Sequence, residues 1–190
     1  MQYIYHYLFE AMWIIYLIYW WTMSRDVKVT IRTESSLSRL TRSVSIILAA
    51  LLLYFPKLPI SFLDLRFLPL SNLCFWIGAI ITAGGLYFSV WARRYLGKNW
   101  SQAVTIKEDH ELITNGPYAL VRHPIYTGFL FGFIGTSIAV GEWRGMIAVA
   151  LVFGALLYKL KLEEKWLREQ FGDSYEIYCL RVSALVPFII

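Results

Sequence analysis

The chain has 190 residues, of which 58% are hydrophobic and only 16% are charged, with a formal net charge of +5. Ordinary soluble domains carry about 25% charged residues, so this chain has too few charged groups to cover a soluble surface. The composition therefore excludes a water-soluble globular protein. It predicts one transmembrane domain that comprises residues 1–190.

Five apolar segments are predicted to be membrane helices. A transmembrane helix needs about 20 residues, so the first and third segments are long enough and the other three are marginal. A short polar turn, Gly141 to Gly145, separates the last two and predicts a helical hairpin. The fold prediction is an all-α integral membrane protein with about five transmembrane helices: about Tyr3 to Trp21, Leu40 to Phe55, Leu73 to Ala92, Ile125 to Val140 and Met146 to Leu160.

Lysine and arginine residues are unevenly distributed among the connecting segments. Fifteen lie in the first loop, the third loop and the C-terminal tail, whereas Lys57, Arg66 and Arg144 lie elsewhere. Because loops rich in these residues stay in the cytoplasm, we expect the N-terminus outside and the C-terminus in the cytoplasm. The positive charge then favours anionic membrane lipids as partners. The sequence has no basic stripe of the kind that would indicate a nucleic-acid partner.

The two cysteines, Cys74 and Cys179, are expected on opposite sides of the membrane, so no disulfide is predicted. Their spacing is not that of a zinc site, and we predict no bound metal. No glycine-rich phosphate signature follows a strand, which argues against both common nucleotide folds. Gly78, Gly84 and Gly85 are instead expected to permit close helix packing.

The third loop ends in a segment that places a cation and an imidazole at the membrane surface. Pro124 is expected in the first turn of the fourth helix, and it disfavours a helical conformation at His123. Arg122 and His123 would therefore lie along the cytoplasmic interface, at a helix N-terminus that favours an anionic group such as a carboxylate. The alternative is a simple anchor, in which Arg122 reaches the headgroups and His123 caps the bend.

Two carboxylates follow the last apolar segment. Glu163 and Glu164 border an apolar helical stripe that includes Leu160 and Leu167, and carboxylates beside an apolar face need a cation or hydrogen-bond donors. Lys159 stands four residues before Glu163, so an ordinary helix ion pair would also explain them. Because both polar segments are expected at the same membrane face, they predict one polar pocket.

Several motifs follow one another over roughly residues 93 to 190. They are His110-Glu111-Leu112-Ile113, Gly116-Pro117-Tyr118, Arg122-His123-Pro124-Ile125-Tyr126-Thr127-Gly128, Glu163-Glu164, Phe171-Gly172-x2-Tyr175-x2-Tyr178 and Arg181-Val182-x4-Pro187. Together they resemble the motifs of the isoprenylcysteine carboxyl methyltransferase family. The Arg-His-Pro-x-Tyr element is less specific on its own, because related phospholipid methyltransferases and membrane sterol reductases have similar versions of it.

The resemblance implies a membrane enzyme that uses S-adenosylmethionine, with residues 93–190 as its cofactor-binding core. Arg122 would be the catalytic residue that holds the acceptor group, and Lys159 a second substrate-binding residue. The family tends to have arginine where Lys159 stands, and lysine keeps the charge but lacks the bidentate fork. The implied cofactor contacts are His110, Glu111, Leu112, Ile113, Tyr118, His123, Pro124, Ile125, Tyr126 and Glu163.

The expected reaction is methyl transfer to a lipophilic small-molecule or lipidated acceptor, in a site that faces the cytoplasm. An acceptor carboxylate is ionised at neutral pH and needs no general base, whereas an amine would need one, such as His123. The alternatives are a phospholipid N-methyltransferase, an NADPH-dependent membrane reductase of the sterol type, and a catalytically silent scaffold.

Overall fold

The computed structural model describes residues 2–23, 30–55, 57–97, 105–107 and 112–187. Most of them are helical, and short 3-10 helices cover Ser61–Asp64 and Gly116–Ala119. The α-helices are α1 (Gln2–Met23), α2 (Ser36–Tyr54), α3 (Asn72–Leu96), α4 (Pro124–Val140), α5 (Trp143–Phe171) and α6 (Asp173–Arg181).

A small antiparallel sheet joins two loop segments, which the all-α prediction did not include. Strand β1, Thr30–Thr33, pairs with strand β2, Thr105–Lys107. Strands of three or four residues are too short to give a clear alternating pattern in the sequence. The predicted helical class is otherwise confirmed.

Among the described residues, three helices, α2, α3 and α5, are long and apolar enough to cross a membrane, and α4 is a shorter apolar helix of 17 residues. The second and fifth predicted segments were too short. Helix α2 begins at Ser36, and α5 has 29 residues. At 1.5 Å per residue α5 is about 44 Å long, so it exceeds a hydrocarbon layer of about 30 Å and extends as a helix through its charged residues.

Helices α3 and α4 touch backbone to backbone through two pairs of glycines. A Cβ atom added to Gly78 would lie 2.5 Å from the Gly135 carbonyl oxygen, and one added to Gly85 would lie 2.6 Å from that of Gly128. The helices are antiparallel, and only glycine permits this approach. The predicted close packing at Gly78 and Gly85 is confirmed. It is wrong for Gly84, which faces open space.

Helix α1 is attached to this pair by hydrogen bonds within the apolar region. The hydroxyl groups of Tyr16 and Ser89 share a hydrogen bond of 2.8 Å, and the Trp13 indole donates to Thr136 Oγ1 at 3.1 Å. Polar groups in lipid must be satisfied inside the protein, so these bonds fix the position of α1.

Helix α2 packs on α5 through a core that includes Ala49, Ala148 and Val152. This contact brings the first turns of α2 beside the last turns of α5.

The α4–α5 hairpin is present, and its turn carries a cluster of charged residues. Gly141 ends α4 in a left-handed conformation with φ 67°. Arg144 donates to Glu142 at 2.6 Å and to the Phe55 carbonyl, and Arg66 lies 3.5 Å from Glu142. We call Arg66, Glu142 and Arg144 the hairpin-turn cluster.

Candidate active site

The site begins at a bend before α4. His123 has the non-helical angles φ −123° and ψ 60°, and Pro124 is the first residue of α4, as predicted. The backbone N–H groups of Arg122 and His123 donate to the carbonyls of Ser183 and Ala184 at 2.8 and 3.0 Å. The C-terminal segment therefore lies along the bend and fixes its geometry.

Two side-chain bonds reinforce this attachment. Thr127 Oγ1 donates to the Leu185 carbonyl at 2.7 Å, and the Tyr178 hydroxyl donates to the Tyr118 carbonyl at 2.6 Å. Burial and the nearby Glu163 carboxylate raise the pKa of Tyr118, so its phenol is neutral. Hydrogen bonds from a residue of α4 and a residue of α6 thus hold the bend in place.

Arg122 points inward and is largely committed to protein acceptors. Its Nε and Nη2 atoms lie 2.8 and 2.6 Å from Glu164 Oε1, and Nη1 donates to the carbonyls of Cys179 and Val182. Four of the five guanidinium N–H groups are used in this way. Burial opposes the charge of Arg122, but the hydrogen bond to Glu164 and the attraction of that carboxylate together outweigh burial and raise the pKa of the guanidinium.

His123 lies between the two glutamates. Its Nε2 atom is 3.3 Å from Glu164 Oε1, and its Nδ1 atom is 3.6 Å from Glu163 Oε2. The ring stacks on Tyr126 with centroids 5.4 Å apart. The prediction that the bend and the Glu163-Glu164 pair lie close together is therefore confirmed.

Glu163 and Glu164 have different surroundings. Glu164, with a side chain 9% exposed, faces Arg122 and Arg168. Glu163 is 22% exposed, accepts a hydrogen bond of 2.5 Å from the Tyr126 hydroxyl, and lies 3.7 Å from Lys159 Nζ. The Lys159 ammonium also lies 5.0 Å above the Tyr126 ring. The ordinary i,i+4 pair is thus present, but within a larger cluster.

The sequence prediction missed an ion pair that α2 contributes. Arg42 donates to the two carboxylate oxygens of Glu34 at 2.7 and 2.6 Å, and Ser38 Oγ donates to the same carboxylate at 2.7 Å. Burial would raise the pKa of Glu34, but the hydrogen bonds from Arg42 and Ser38, together with the attraction of the Arg42 and Lys159 charges, outweigh burial and lower the pKa. The four-residue spacing of Glu34, Ser38 and Arg42 was the available signal.

This pair acts electrostatically on the α5 residues. Lys159 stabilises the charge of Glu34, and Glu163 stabilises that of Arg42. The sequence analysis counted Arg42 only among the cytoplasmic loop charges.

A further polar group in the neighbourhood is the Tyr175 hydroxyl. Tyr175 is 1% exposed, and its hydroxyl has no hydrogen-bond partner among the residues that the structure describes. Burial raises the pKa of this phenol, and the Glu164 carboxylate adds to the effect. A buried hydroxyl without a partner is costly, so it has a hydrogen bond available for a small polar molecule.

The remaining predicted cofactor contacts differ in burial. Pro124 is fully buried, whereas Leu112, Ile113 and Ile125 are half-buried and, being apolar, take no part in the ion pairs. His110 and Glu111 lie outside the described residues. The structure thus brings together Arg122, His123, Tyr126, Lys159 and Glu163, whose assigned roles stay predictions.

Comparison with known proteins identifies a protein family and several relatives. A family profile described as phospholipid methyltransferase matches residues 73–174. The protein-S-isoprenylcysteine O-methyltransferase of Schizosaccharomyces pombe is 36% identical over 108 residues, which cover 55% of this chain and 46% of that protein. Its counterpart in Saccharomyces cerevisiae is 30% identical over 122 residues, which cover 63% of this chain and 51% of that protein.

A solved structure is similar as well. It is that of the eukaryotic intramembrane Ras methyltransferase ICMT, with a TM-score of 0.52 and 26% identity, and the match covers 84% of this chain and 55% of that one. The chain spans about half the length of the curated relatives it matches. The family profile matches more than half of the chain, and the resemblance seen in the motifs is confirmed. This integral membrane protein therefore belongs to the phospholipid methyltransferase family, alongside the isoprenylcysteine carboxyl methyltransferases.

Proposed function

We propose that this protein transfers a methyl group from S-adenosylmethionine to the carboxylate of a lipophilic, isoprenylcysteine-type acceptor. The observation that carries the proposal is the position of His123 between Glu163 and Glu164, in a largely buried cluster with Arg122 and Lys159. Charged groups are costly at a membrane boundary and are usually functional there. The printed names of the relatives supply the reaction class.

The proposed topology has five spans, with the N-terminus outside and the cluster at the cytoplasmic face. The excess of lysine and arginine in the first loop, third loop and tail supports this orientation. A water-soluble cofactor would then reach the site from the cytoplasm. A lipophilic acceptor would arrive laterally from the bilayer.

The residues present fit this cofactor. Its amino acid portion carries an ammonium, and the site offers the partly exposed Glu163 carboxylate as a partner for it. The Tyr175 hydroxyl, which is buried without a partner among the described residues, is a candidate for a hydrogen bond to a further polar atom. Glu163 and Tyr126 would hold the cofactor, and the predicted contacts Tyr118, Pro124 and Ile125 would surround it.

The bound cofactor supplies a methyl group that its sulfonium already activates. The protein's task is therefore to align the acceptor and to exclude water. A carboxylate acceptor carries no proton to remove, so the site needs a cation to offset its desolvation. Lys159 can supply that cation on the acceptor side.

The catalytic role predicted for Arg122 is part of this proposal, but only one of its N–H groups can take that role. Four of its N–H groups already face Glu164 and two carbonyls, so one remains for the acceptor. We assign Arg122 two tasks. It holds Glu164 beside His123, and it directs its last donor towards the acceptor carboxylate.

Phospholipid N-methylation is the second candidate. The family profile carries that description, and an amine acceptor must lose a proton, which the imidazole of His123 could accept.

Calorimetric titration of the detergent-purified protein with S-adenosylhomocysteine, with NADPH as comparator, tests the cofactor. We expect S-adenosylhomocysteine to bind to the wild type and to bind more weakly to His123→Ala. Binding of NADPH alone would favour a reductase, and binding of neither ligand to folded protein would favour a scaffold. Methyl transfer assays with an isoprenylcysteine acid and with phosphatidylethanolamine then separate the two acceptor classes.

A further inference from the structure

We propose that the Glu34–Arg42 pair, at the N-terminal end of α2, is a positioning pair, which balances the charge at Lys159 and Glu163 and sets the preference for an acidic acceptor. The proposal rests on the proposed function, since it concerns the same site. Both residues precede the segment 73–174 that the family profile matches. They therefore represent a contribution of this chain's N-terminal half.

The first argument is burial. Glu34 is 4% exposed and Arg42 is 8% exposed, and the two are joined by two short hydrogen bonds. A buried ion pair generally stabilises a fold no better than apolar residues of the same size. Stability alone is therefore a weak reason for such a pair in a membrane helix.

The second argument is location. Helix α2 packs on α5 through Ala49, Ala148 and Val152, and Phe55 at the end of α2 contacts Arg144 at the start of α5, so the two helices are antiparallel. Arg42 precedes Ala49 by about two turns and Lys159 follows Val152 by about two turns, so the packing places both residues at a similar level. Glu34 interacts with the ammonium of Lys159, and Arg42 interacts with Glu163 and with Tyr126. Together the four charged groups form an alternating and neutral set: Glu34, Arg42, Lys159 and Glu163.

The third argument concerns what each charge does to Lys159. The Glu34 carboxylate attracts the ammonium, and the Arg42 guanidinium opposes it. Removal of either partner leaves an uncompensated charge beside the acceptor site, and the sign of that charge depends on which partner is removed. A pair that only holds α2 in place would not produce effects of opposite sign.

The predicted signature follows from this sign difference. Glu34→Gln leaves one additional positive charge and should strengthen binding of an acid relative to its neutral ester, whereas Arg42→Gln should weaken it. At an effective dielectric constant of ~20, a unit charge at roughly 10 Å changes the ratio of the two affinities about tenfold. The double variant Glu34→Gln/Arg42→Gln restores neutrality, and its ratio should return to that of the wild type.

The experiment measures binding of N-acetyl-S-farnesylcysteine and of its methyl ester to the full chain, in detergent and with S-adenosylhomocysteine present. The ratio of the acid and ester affinities is the readout, because it cancels a general loss of active protein. Glu142→Gln and Arg144→Gln are the matched controls, since they break an ion pair in the hairpin-turn cluster. They should leave the ratio unchanged.

Each outcome decides the proposal. Shifts of opposite sign, with recovery in the double variant, support it. Shifts of the same sign, or no shifts, overturn it while the proposed function stands. If the single variants do not fold, the double variant decides, because it buries no charge at this pair: a retained acid preference supports the charge balance, and a lost one overturns it. If the wild type binds S-adenosylhomocysteine but neither probe, the proposed acceptor is wrong and this inference fails with it.

Discussion

The two ends of the α4–α5 hairpin both carry buried charges, and they use them differently. At the turn, Arg144 joins Glu142 to the Phe55 carbonyl, and these contacts connect two loops. At the other end, His123 lies between two carboxylates, one of which is 22% exposed. The comparison teaches that ion pairs alone do not identify a site. An imidazole held between two carboxylates, as at His123, is the distinguishing feature.

His123→Ala should have the largest effect on ligand binding. It removes the group between Glu163 and Glu164 and leaves their charges facing one another. We expect the affinity for S-adenosylhomocysteine to fall roughly a hundredfold, the equivalent of one strong hydrogen bond to a charged group. Calorimetry measures this fall. If Glu142→Ala, at the turn, lowered the affinity by a similar factor, the two ends would not differ in function.

Arg122→Gln and Arg144→Gln test whether the two ends differ in function or only in position. Each variant leaves a buried carboxylate without its main cation, so each should lower the free energy of unfolding by about 3 kcal/mol. Thermal unfolding in detergent should therefore show similar losses. Only Arg122→Gln should also reduce methyl transfer, measured per folded molecule, and equal reductions would contradict a specific role for Arg122.

Tyr126→Phe removes a single hydrogen bond from the site. The Tyr126 hydroxyl donates to Glu163 at 2.5 Å, and its loss should weaken binding of S-adenosylhomocysteine about tenfold. Tyr87→Phe is the matched control, because Tyr87 is exposed on α3. Unchanged binding in Tyr126→Phe would remove Glu163 from the proposed set of cofactor contacts.

Arg66→Gln should have the smallest effect. The Arg66–Glu142 pair is 3.5 Å apart and the arginine is one-third exposed, so we expect less than about 1 kcal/mol of lost stability and no change in ligand binding. Thermal unfolding and the same titration check both parts. A change in ligand affinity would show that the turn communicates with the site.

The bend and the two glutamates could be predicted because their signals are local. Pro124 restricts His123, and a carboxylate beside an apolar stripe demands a partner wherever the helix lies. The sequence predicted the C-terminal end of α5 less accurately. Hydropathy marks where the apolar run stops, but the helix continues through its charged residues to Phe171.

The contribution of α2 was beyond the sequence reasoning for a different reason. Arg42 and Glu163 are far apart in the chain, and only the packing of α2 on α5 brings them within range of each other's charge. The error at Gly84 has a similar origin, since neighbouring glycines on a helix face different directions. Which of them meets α4 depends on the rotation of α3, which composition does not specify.

The hydrogen bonds between the bend and residues 183–185 have a consequence for biosynthesis. A membrane chain leaves the ribosome in order from its N-terminus, so α4 and α5 emerge before these residues. The carbonyls that fix Arg122, His123 and Thr127 are then not yet in place. A nascent chain can therefore have both helices of the hairpin outside the ribosome and still lack the geometry of the site, which is completed only when residues 183–185 have emerged and folded back.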